Sequence, residues 1–299
     1  MSSADIAVQV FRELENEDFR ILHSIETAMA KREFVPIEQI EKYSKAPLDR
    51  ITFTLNKLDK LTLIYRTHTA CTGYTLNSAG YDCLAINALV KAKVLTSFGQ
   101  TLGVGKEADI YDALNPDGTR IVIKFHRLGR ISFRQTRRKR SYIRERSTWL
   151  FQSHLAAEKE YHTMKLAYDN GVAVPKPLSQ NRHAIAMSMI EGGELSKYKD
   201  IGKAKQVLRE ILRNIKKTYR KVHLIHGDLS EYNIILRPDG HILIIDWPQA
   251  VKTDHANAKE LLERDLRNVL TFFARKWSVE LTVEEARKYV VGEAPRLPI

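Results

Sequence analysis

Residues 226–247, HGDLSEYNIILRPDGHILIIDW, constrain the fold more than any other stretch of the chain. Two apolar runs, NIIL and HILII, flank the turn former RPDG, so the segment reads as a tight hairpin. A hairpin by itself has no use for the polar residues at its two ends. His226, Asp228 and Asn233 stand before the first run in the spacing H-x-D-x-x-x-x-N, and Asp246 stands directly after the second. The rest of the chain must supply whatever these groups act on.

Upstream, the texture between residues 93 and 190 is one of short strands punctuated by turns. GQTLGVGKEADIYDALNPDGTRIVIKFHR reads as strand, glycine loop, strand, NPDG turn and strand. Gly103 and Gly105 let the backbone fold close to a bound group, so that N–H groups of Lys106, Glu107 and Ala108 face phosphate oxygens. The loop is not a Walker motif, which needs Gly-Lys-Ser/Thr opening a helix. Lys124 lies inside the apolar strand IVIKF, and a buried ammonium is costly unless it meets anions. A phosphate and a carboxylate are the expected partners. The segment SHLAAEKEYHTMKLAYDNG is helical and offers Glu158 and Glu160, which lie on different faces because they are two residues apart. Glu160 is the preferred partner. LSQNRHAIAMSMI, residues 178–190, then reads as two strands leading to EGGEL, a natural hinge. The backbone of Ser188, Met189 and Ile190 is placed to meet an adenine ring there, with Met187 packed behind it.

The hairpin residues now take roles. Phosphoryl transfer needs one carboxylate to orient the attacking group, and a second carboxylate with an amide oxygen to hold the magnesium that neutralises the phosphates. Asp228, Asp246 and Asn233 fill these roles in order, and His226 braces the loop. Glycine loop, strand lysine, helix glutamate, catalytic loop and metal aspartate occur in the order of a protein-kinase-like fold.

Residues 1–92 have another pattern, with helical segments around FRELENEDFRILHSIETAMAKR, PIEQIEKYSK and PLDRITFTLNKLDKL, then a hairpin and a last helix. In the third segment Leu48, Ile51, Leu55 and Leu58 recur at helical spacing, leaving Arg50, Thr52, Thr54 and Lys57 on other faces. Three helices and a two-stranded wing make a winged helix-turn-helix. Its third helix presents Arg50 and Lys57 to nucleic acid, or the module docks on protein instead.

Charge adds to this. The chain of 299 residues carries a formal net charge of +12. Between Arg127 and Arg146 nine basic residues stand against Glu145 alone, among them Arg134, Arg137, Arg138, Lys139 and Arg140. Such a basic loop suits a polyphosphate partner, RNA especially, because counterion release drives binding without sequence readout. Cys71 and Cys83 show neither CxxC spacing nor clustered histidines, so no disulfide framework or zinc site is expected. The N-terminus lacks a signal pattern and no run of about 18 apolar residues occurs, so the expectation is a cytoplasmic protein without a membrane partner.

The segments GVGKEADIY, VIKFHRLGR, HGDLSEYNIIL and IIDWPQ resemble the RIO family of atypical kinases, and the N-terminal winged helix resembles its second subfamily. The resemblance covers nearly the whole chain. It implies an α+β fold: a winged helix over 1–92, a kinase N-lobe over 93–190 with a basic loop at 127–146, and a reduced C-lobe over 191–299. It further implies ATP with magnesium, or manganese, as cofactor, an aspartyl-phosphate at Asp246, and binding to precursors of the small ribosomal subunit through rRNA and ribosomal proteins. Ala108 replaces a serine found in many relatives, so only its backbone N–H remains for a phosphate. Ser230 stands where ordinary protein kinases carry a lysine, and no A-P-E signal follows IIDW. An activation loop and peptide-binding subdomain are therefore not expected. Aminoglycoside and choline phosphotransferases share HGD…N and IDW, and a small-molecule kinase is the alternative reading.

Overall fold

The computed structural model describes residues 2–67, 72–105, 107–128 and 142–299, with side chains from 149 onward in the last segment. The chain divides into two compact units, Met1–Glu158 with Ser179–Ala186 and Lys159–Leu178 with Met187–Ile299.

The first unit begins with α1 (Ser3–Val10), capped by Ser2, whose hydroxyl accepts from the Asp5 N–H while Asp5 accepts from the Ser2 N–H. This helix precedes the stretch where the sequence reading begins its first helix. A 3-10 turn (Phe11–Glu13) ends before α2 (Asn16–Met29), so FRELENED does not continue as one helix. The break has a local cause: the Glu15 N–H is taken by the Asp18 carboxylate at 2.8 Å, which starts a new helix in a capping box. Strand β1 (Val35–Pro36), α3 (Ile37–Ser44), α4 (Leu48–Lys60) and the wing β2 (Ile64–Thr67) and β3 (Gly73–Leu76) follow, in sheet order β1-β3-β2. Helix α5 (Ser78–Lys91) closes the module and is capped by the Asn77 amide oxygen on the Gly80 N–H.

The buried face of α4 consists of Ile51, Thr54, Leu55 and Leu58. Leu48 is 51% exposed, because it opens the helix directly after Pro47 at the module's rim. Thr54 replaces it inside, since positions 51, 54, 55 and 58 form the actual i, i+3, i+4, i+7 stripe.

This unit also holds the sheet β4-β5-β6-β8-β7, in which β4–β5 and β5–β6 pair antiparallel. Its strands are β4 (Ser97–Val104), β5 (Ala108–Leu114), β6 (Arg120–His126), β7 (Pro177–Asn181) and β8 (Ala184–Ser188), the outer ends of the last two running into the second unit. Phe125, Ile121, Ile123 and Tyr111 form its core, and the Tyr111 hydroxyl donates to Asp5 of α1 at 2.6 Å. Helix α6 (Tyr142–Asp169) starts earlier than the sequence suggests. The proposed basic loop at 127–146 therefore narrows, because 142–146 are helical and Arg127 is buried. Arg134, Arg137, Arg138, Lys139 and Arg140 lie outside the described residues, as do Cys71 and Lys106.

In the second unit, β9 (Gly193–Glu194) pairs with β11 (Ile234–Leu236), which pairs with β12 (Ile242–Ile244). Helix α7 (Ala204–Lys217) buries Val207, Leu208, Ile211, Leu212 and Ile215. Its Asn214 accepts from the Ala173 N–H at 2.8 Å, and the Ile244 N–H donates to the Ala173 carbonyl at 2.7 Å. Strands β10 (Leu224–Ile225) and β13 (Val251–Lys252) pair, and α8 (Ala258–Trp277) and α9 (Val283–Val291) pack with α7. Among the described residues no helix is long and apolar enough to cross a membrane.

Candidate active site

The glycine loop follows a strand whose pairing is irregular. Register shifts interrupt the β4–β5 pairing between Phe98 and Thr101 and again between Thr101 and Gly103. Such bulges re-aim the chain at a site. The turn that follows is closed by the Gly105 N–H on the Ala108 carbonyl at 2.8 Å, and the Glu107 carbonyl accepts from the Arg127 N–H at 2.6 Å. Lys124 sits on β6 opposite Ile110 and is 8% exposed, the apolar-strand setting read from its neighbours.

On α6 the choice between the two glutamates follows from burial. Glu160 is 1% exposed and its Oε1 accepts from the Trp247 N–H at 3.3 Å. Glu158 is about half exposed, with His154 Nε2 at 3.9 Å. Glu160 thus holds the peptide immediately after Asp246. In the hinge segment Met187 is buried, and the Ser188 N–H donates to the Lys176 carbonyl at 2.9 Å while its hydroxyl accepts from the Lys176 N–H at 3.0 Å. The Ser188 N–H is therefore spent within the fold, and Met189 and Ile190 carry the backbone left for a ring. Gly192, at φ +127°, passes so close to the Leu236 carbonyl that no β-carbon fits.

Asp246 has φ +70°, a left-handed backbone unusual for a residue with a side chain. Strain of this kind persists where surrounding bonds impose it. They do so here: the Ile245 N–H donates to the Asn233 carbonyl at 3.0 Å and the Trp247 N–H is held by Glu160. The Asn233 amide donates from Nδ2 to the Asp228 carbonyl at 2.8 Å, fixing its orientation. Its Oδ1 is left as an acceptor. A carboxylate and an amide oxygen are the hard donors that Mg2+ takes with phosphate oxygens and water, so the residues fit that ion.

His226 donates from Nε2 to the Ile245 carbonyl at 3.0 Å, a tautomer required because a carbonyl only accepts. Its ring lies 4.6 Å from that of Trp247. Burial pushes its pKa down, so the ring is neutral and braces the Asp246 segment.

The grip on Asp228 itself comes from residues that the sequence reading missed. Asp265 of α8, 1% exposed, accepts the Gly227 N–H at 2.8 Å and the Leu229 N–H at 2.9 Å. From the same helix, Arg264 donates to the Gly227 carbonyl and Asn268 to the Leu229 carbonyl, the latter at 3.1 Å. Both residues flanking Asp228 are held through both polar backbone groups, so the exposed Asp228 side chain is aimed by α8. Burial pushes the Asp265 carboxyl up to about 6 against the opposing pull of the two N–H bonds. Gly227 has φ +79°, and a β-carbon there would lie 2.8 Å from the Gln249 carbonyl oxygen.

Of the proposed nucleic-acid contacts, Arg50 pairs with Glu17, and Lys57 pairs with Asp18 at 2.6 Å and donates to the Glu13 carbonyl at 2.8 Å. Both cations are engaged within the module. Arg127, counted with the basic run, is 8% exposed and bound to Asp82 and Asp109.

A glycine loop, a strand lysine, a buried helix glutamate and an H-x-D-x-x-x-x-N loop with a following metal-type aspartate define a protein-kinase-like phosphotransferase. The comparisons narrow this: residues 109–286 match the RIO domain and residues 11–92 match the Rio2 N-terminal domain. The chain is 38% identical over 276 residues to the serine/threonine-protein kinase rio2 of Schizosaccharomyces pombe, covering 91% of this chain and 80% of that protein. It is 39% identical over 259 residues to the RIO-type serine/threonine-protein kinase Rio2 of Methanocaldococcus jannaschii, covering 84% and 94%. A crystal structure of the Rio2 kinase-ADP/Mg2+-phosphoaspartate complex from Chaetomium thermophilum superposes with a TM-score of 0.81 at 33% identity, covering 94% of this chain and 88% of that one. The chain belongs to the RIO family of serine/threonine kinases, in its Rio2 branch.

Proposed function

We propose that the chain is an ATP- and Mg2+-dependent RIO kinase that forms an aspartyl-phosphate on Asp246 and works as a nucleotide-driven switch in maturation of the small ribosomal subunit. The observation that carries the reading is Asp246, held in a left-handed backbone directly after a residue whose N–H bonds the Asn233 carbonyl, with the Asn233 amide nitrogen spent on the Asp228 carbonyl and its oxygen left as an acceptor. Gly103, Gly105 and the main chain of Lys106, Glu107 and Ala108 take phosphate oxygens, Lys124 adds positive charge, and the backbone of Met189 and Ile190, with Met187 packed behind, takes the adenine. Mg2+, held by Asp246 and Asn233, supplies charge neutralisation on the phosphates. One Asp246 carboxylate oxygen attacks the γ-phosphorus, the bond to the β,γ-bridging oxygen breaks, and ADP leaves with that electron pair. Water, oriented by Asp228, then attacks the acyl phosphate; Asp228 takes its proton, phosphate departs and the Asp246 carboxylate is restored.

The relative in the complex described above carries a phosphoaspartate, which supports the covalent step. The ribosomal role rests on the family resemblance and on the charge of the basic run, with Arg134 and Arg137 to Arg140 as the rRNA contacts. Single-turnover incubation with γ-labelled ATP and Mg2+, followed by hydroxylamine, tests the chemistry. A hydroxylamine-sensitive label that Asp246→Asn abolishes is expected. An acid-stable label, or transfer to added protein with none on Asp246, refutes the switch.

A further inference from the structure

Arg127 joins the winged-helix module to the loop at 105–108. Its Nη1 and Nη2 donate to the two carboxylate oxygens of Asp82, each at 2.8 Å, and its Nε donates to Asp109 Oδ2 at 2.9 Å. Asp82 belongs to α5, the last helix of the winged module, and Asp109 to β5; both are fully buried. His183, between β7 and β8, donates from Nε2 to Asp82 Oδ1 at 2.6 Å and stacks on Tyr81 of α5 with ring centroids 4.7 Å apart. Burial opposes ionisation of Asp82, yet the Arg127 charge and the His183 bond hold its carboxyl below the ordinary range. Burial pushes the His183 imidazole down to about 4, so that ring is a neutral donor.

The main chain of the same arginine reaches the loop. Its N–H donates to the Glu107 carbonyl at 2.6 Å, inside the turn that Gly105 closes on Ala108. The next residue, Leu128, donates its N–H to Ser153 Oγ at 3.1 Å, so the chain is pinned on both sides of the arginine. A planar guanidinium held at three nitrogens has no rotational freedom left, and neither has the backbone it hangs from. The direction of the Glu107–Ala108 peptide follows. Ala108 has no hydroxyl to offer a phosphate, so at this position the contact depends on that peptide alone.

We propose that Asp82, acting through Arg127, is a positioning residue for the phosphate-binding loop, so that a side chain of the winged module sets nucleotide affinity. This rests on the nucleotide-binding reading given above. Glu26 provides the control: it forms another ion pair between the winged module and the β7–β8 turn, to Arg182 at 2.6 Å, and the loop is not among its described partners.

Backbone hydrogen exchange is measured without nucleotide in the native chain, Asp82→Asn and Glu26→Gln, and then the Kd for ADP with Mg2+ and the kcat at saturating ATP. In D82N the Gly105 and Arg127 amides are expected to exchange about ten-fold faster or more, as for a segment released from its local brace. The ADP Kd is expected to rise about ten-fold while kcat changes less than about two-fold, a split that loss of stability alone does not produce. In E26Q neither loop exchange nor Kd moves beyond what its global stability accounts for. Equal loop exchange in D82N and E26Q, or an unchanged Kd in D82N, overturns the proposal. Should D82N not fold, Asp82→Asn with Arg127→Gln removes both charges together and carries the same comparison. A native chain that binds no ADP refutes the nucleotide reading, while the exchange at Gly105 still decides the coupling.

Discussion

Asp265→Asn separates the aim of the catalytic loop from the stability of the fold, because two opposing terms nearly cancel. Asparagine keeps one acceptor oxygen but turns an NH2 group toward the other of the Gly227 and Leu229 N–H groups. A buried donor left unsatisfied costs about 1–3 kcal/mol. Against this, the native carboxyl is raised from 3.8 to about 6 by burial, a penalty on its charged form at neutral pH of about 3 kcal/mol. The variant does not carry that penalty. At pH 8 its unfolding free energy should fall within about 2 kcal/mol of the native value.

The pH dependence follows from the direction of the shift. A carboxyl whose folded pKa is raised stabilises the fold below its unfolded value, and that contribution is lost as pH rises through about 6. The native chain loses it between about pH 4 and 7 and the variant does not, so the deficit of D265N is largest at about pH 4 and shrinks toward pH 8. Urea unfolding at the two pH values measures this. Turnover behaves differently: with one of the two bonds flanking Asp228 broken, kcat should drop about ten-fold or more even where stability is matched. Native turnover in D265N, or a deficit that grows with pH, refutes the argument.

Gly227→Ala should cost about 1–2 kcal/mol for the left-handed backbone alone, and more from the contact with the Gln249 carbonyl; a lowered urea midpoint with reduced turnover is the expected result. Lys124→Met should raise the KM for ATP about ten-fold or more, read by initial rates, with an unchanged KM excluding phosphate contact. Charge reversal across Arg137 to Arg140 should weaken rRNA binding and flatten its dependence on salt, measured by titration at several ionic strengths. Retained affinity and slope would assign the contact elsewhere.

Lys124 was legible as a polar residue set in an apolar strand, and the H-x-D-x-x-x-x-N loop and Asp246 as polar groups at the two ends of an apolar hairpin that has no use for them. The sequence placed Glu158 and Glu160 on different faces of α6 without telling which face is buried, and it is burial that singles out Glu160. Arg264, Asp265 and Asn268 were not legible. In ERDLRN they read as the solvated face of an amphipathic helix, and nothing local tells a buried carboxylate from an exposed one. Arg127 was hidden in another way: it opens a run of basic residues, and its partners lie 45 and 18 positions earlier in the chain. The exchange of Leu48 for Thr54 in α4 reflects the rim position of the helix start, which periodicity alone does not register.

The clamp that α8 places on residues 227 and 229 spans 36 to 39 residues of sequence. On a ribosome the HGDLS segment therefore leaves the exit tunnel well before the helix that shapes it. Until α8 has been made and has docked, the hairpin can form while Gly227 and Leu229 lack their partners, because closing such a loop comes later than local pairing. The nascent chain acquires its fold in this region before it acquires its chemistry. Nucleotide turnover is thereby withheld until most of the second unit has been synthesised.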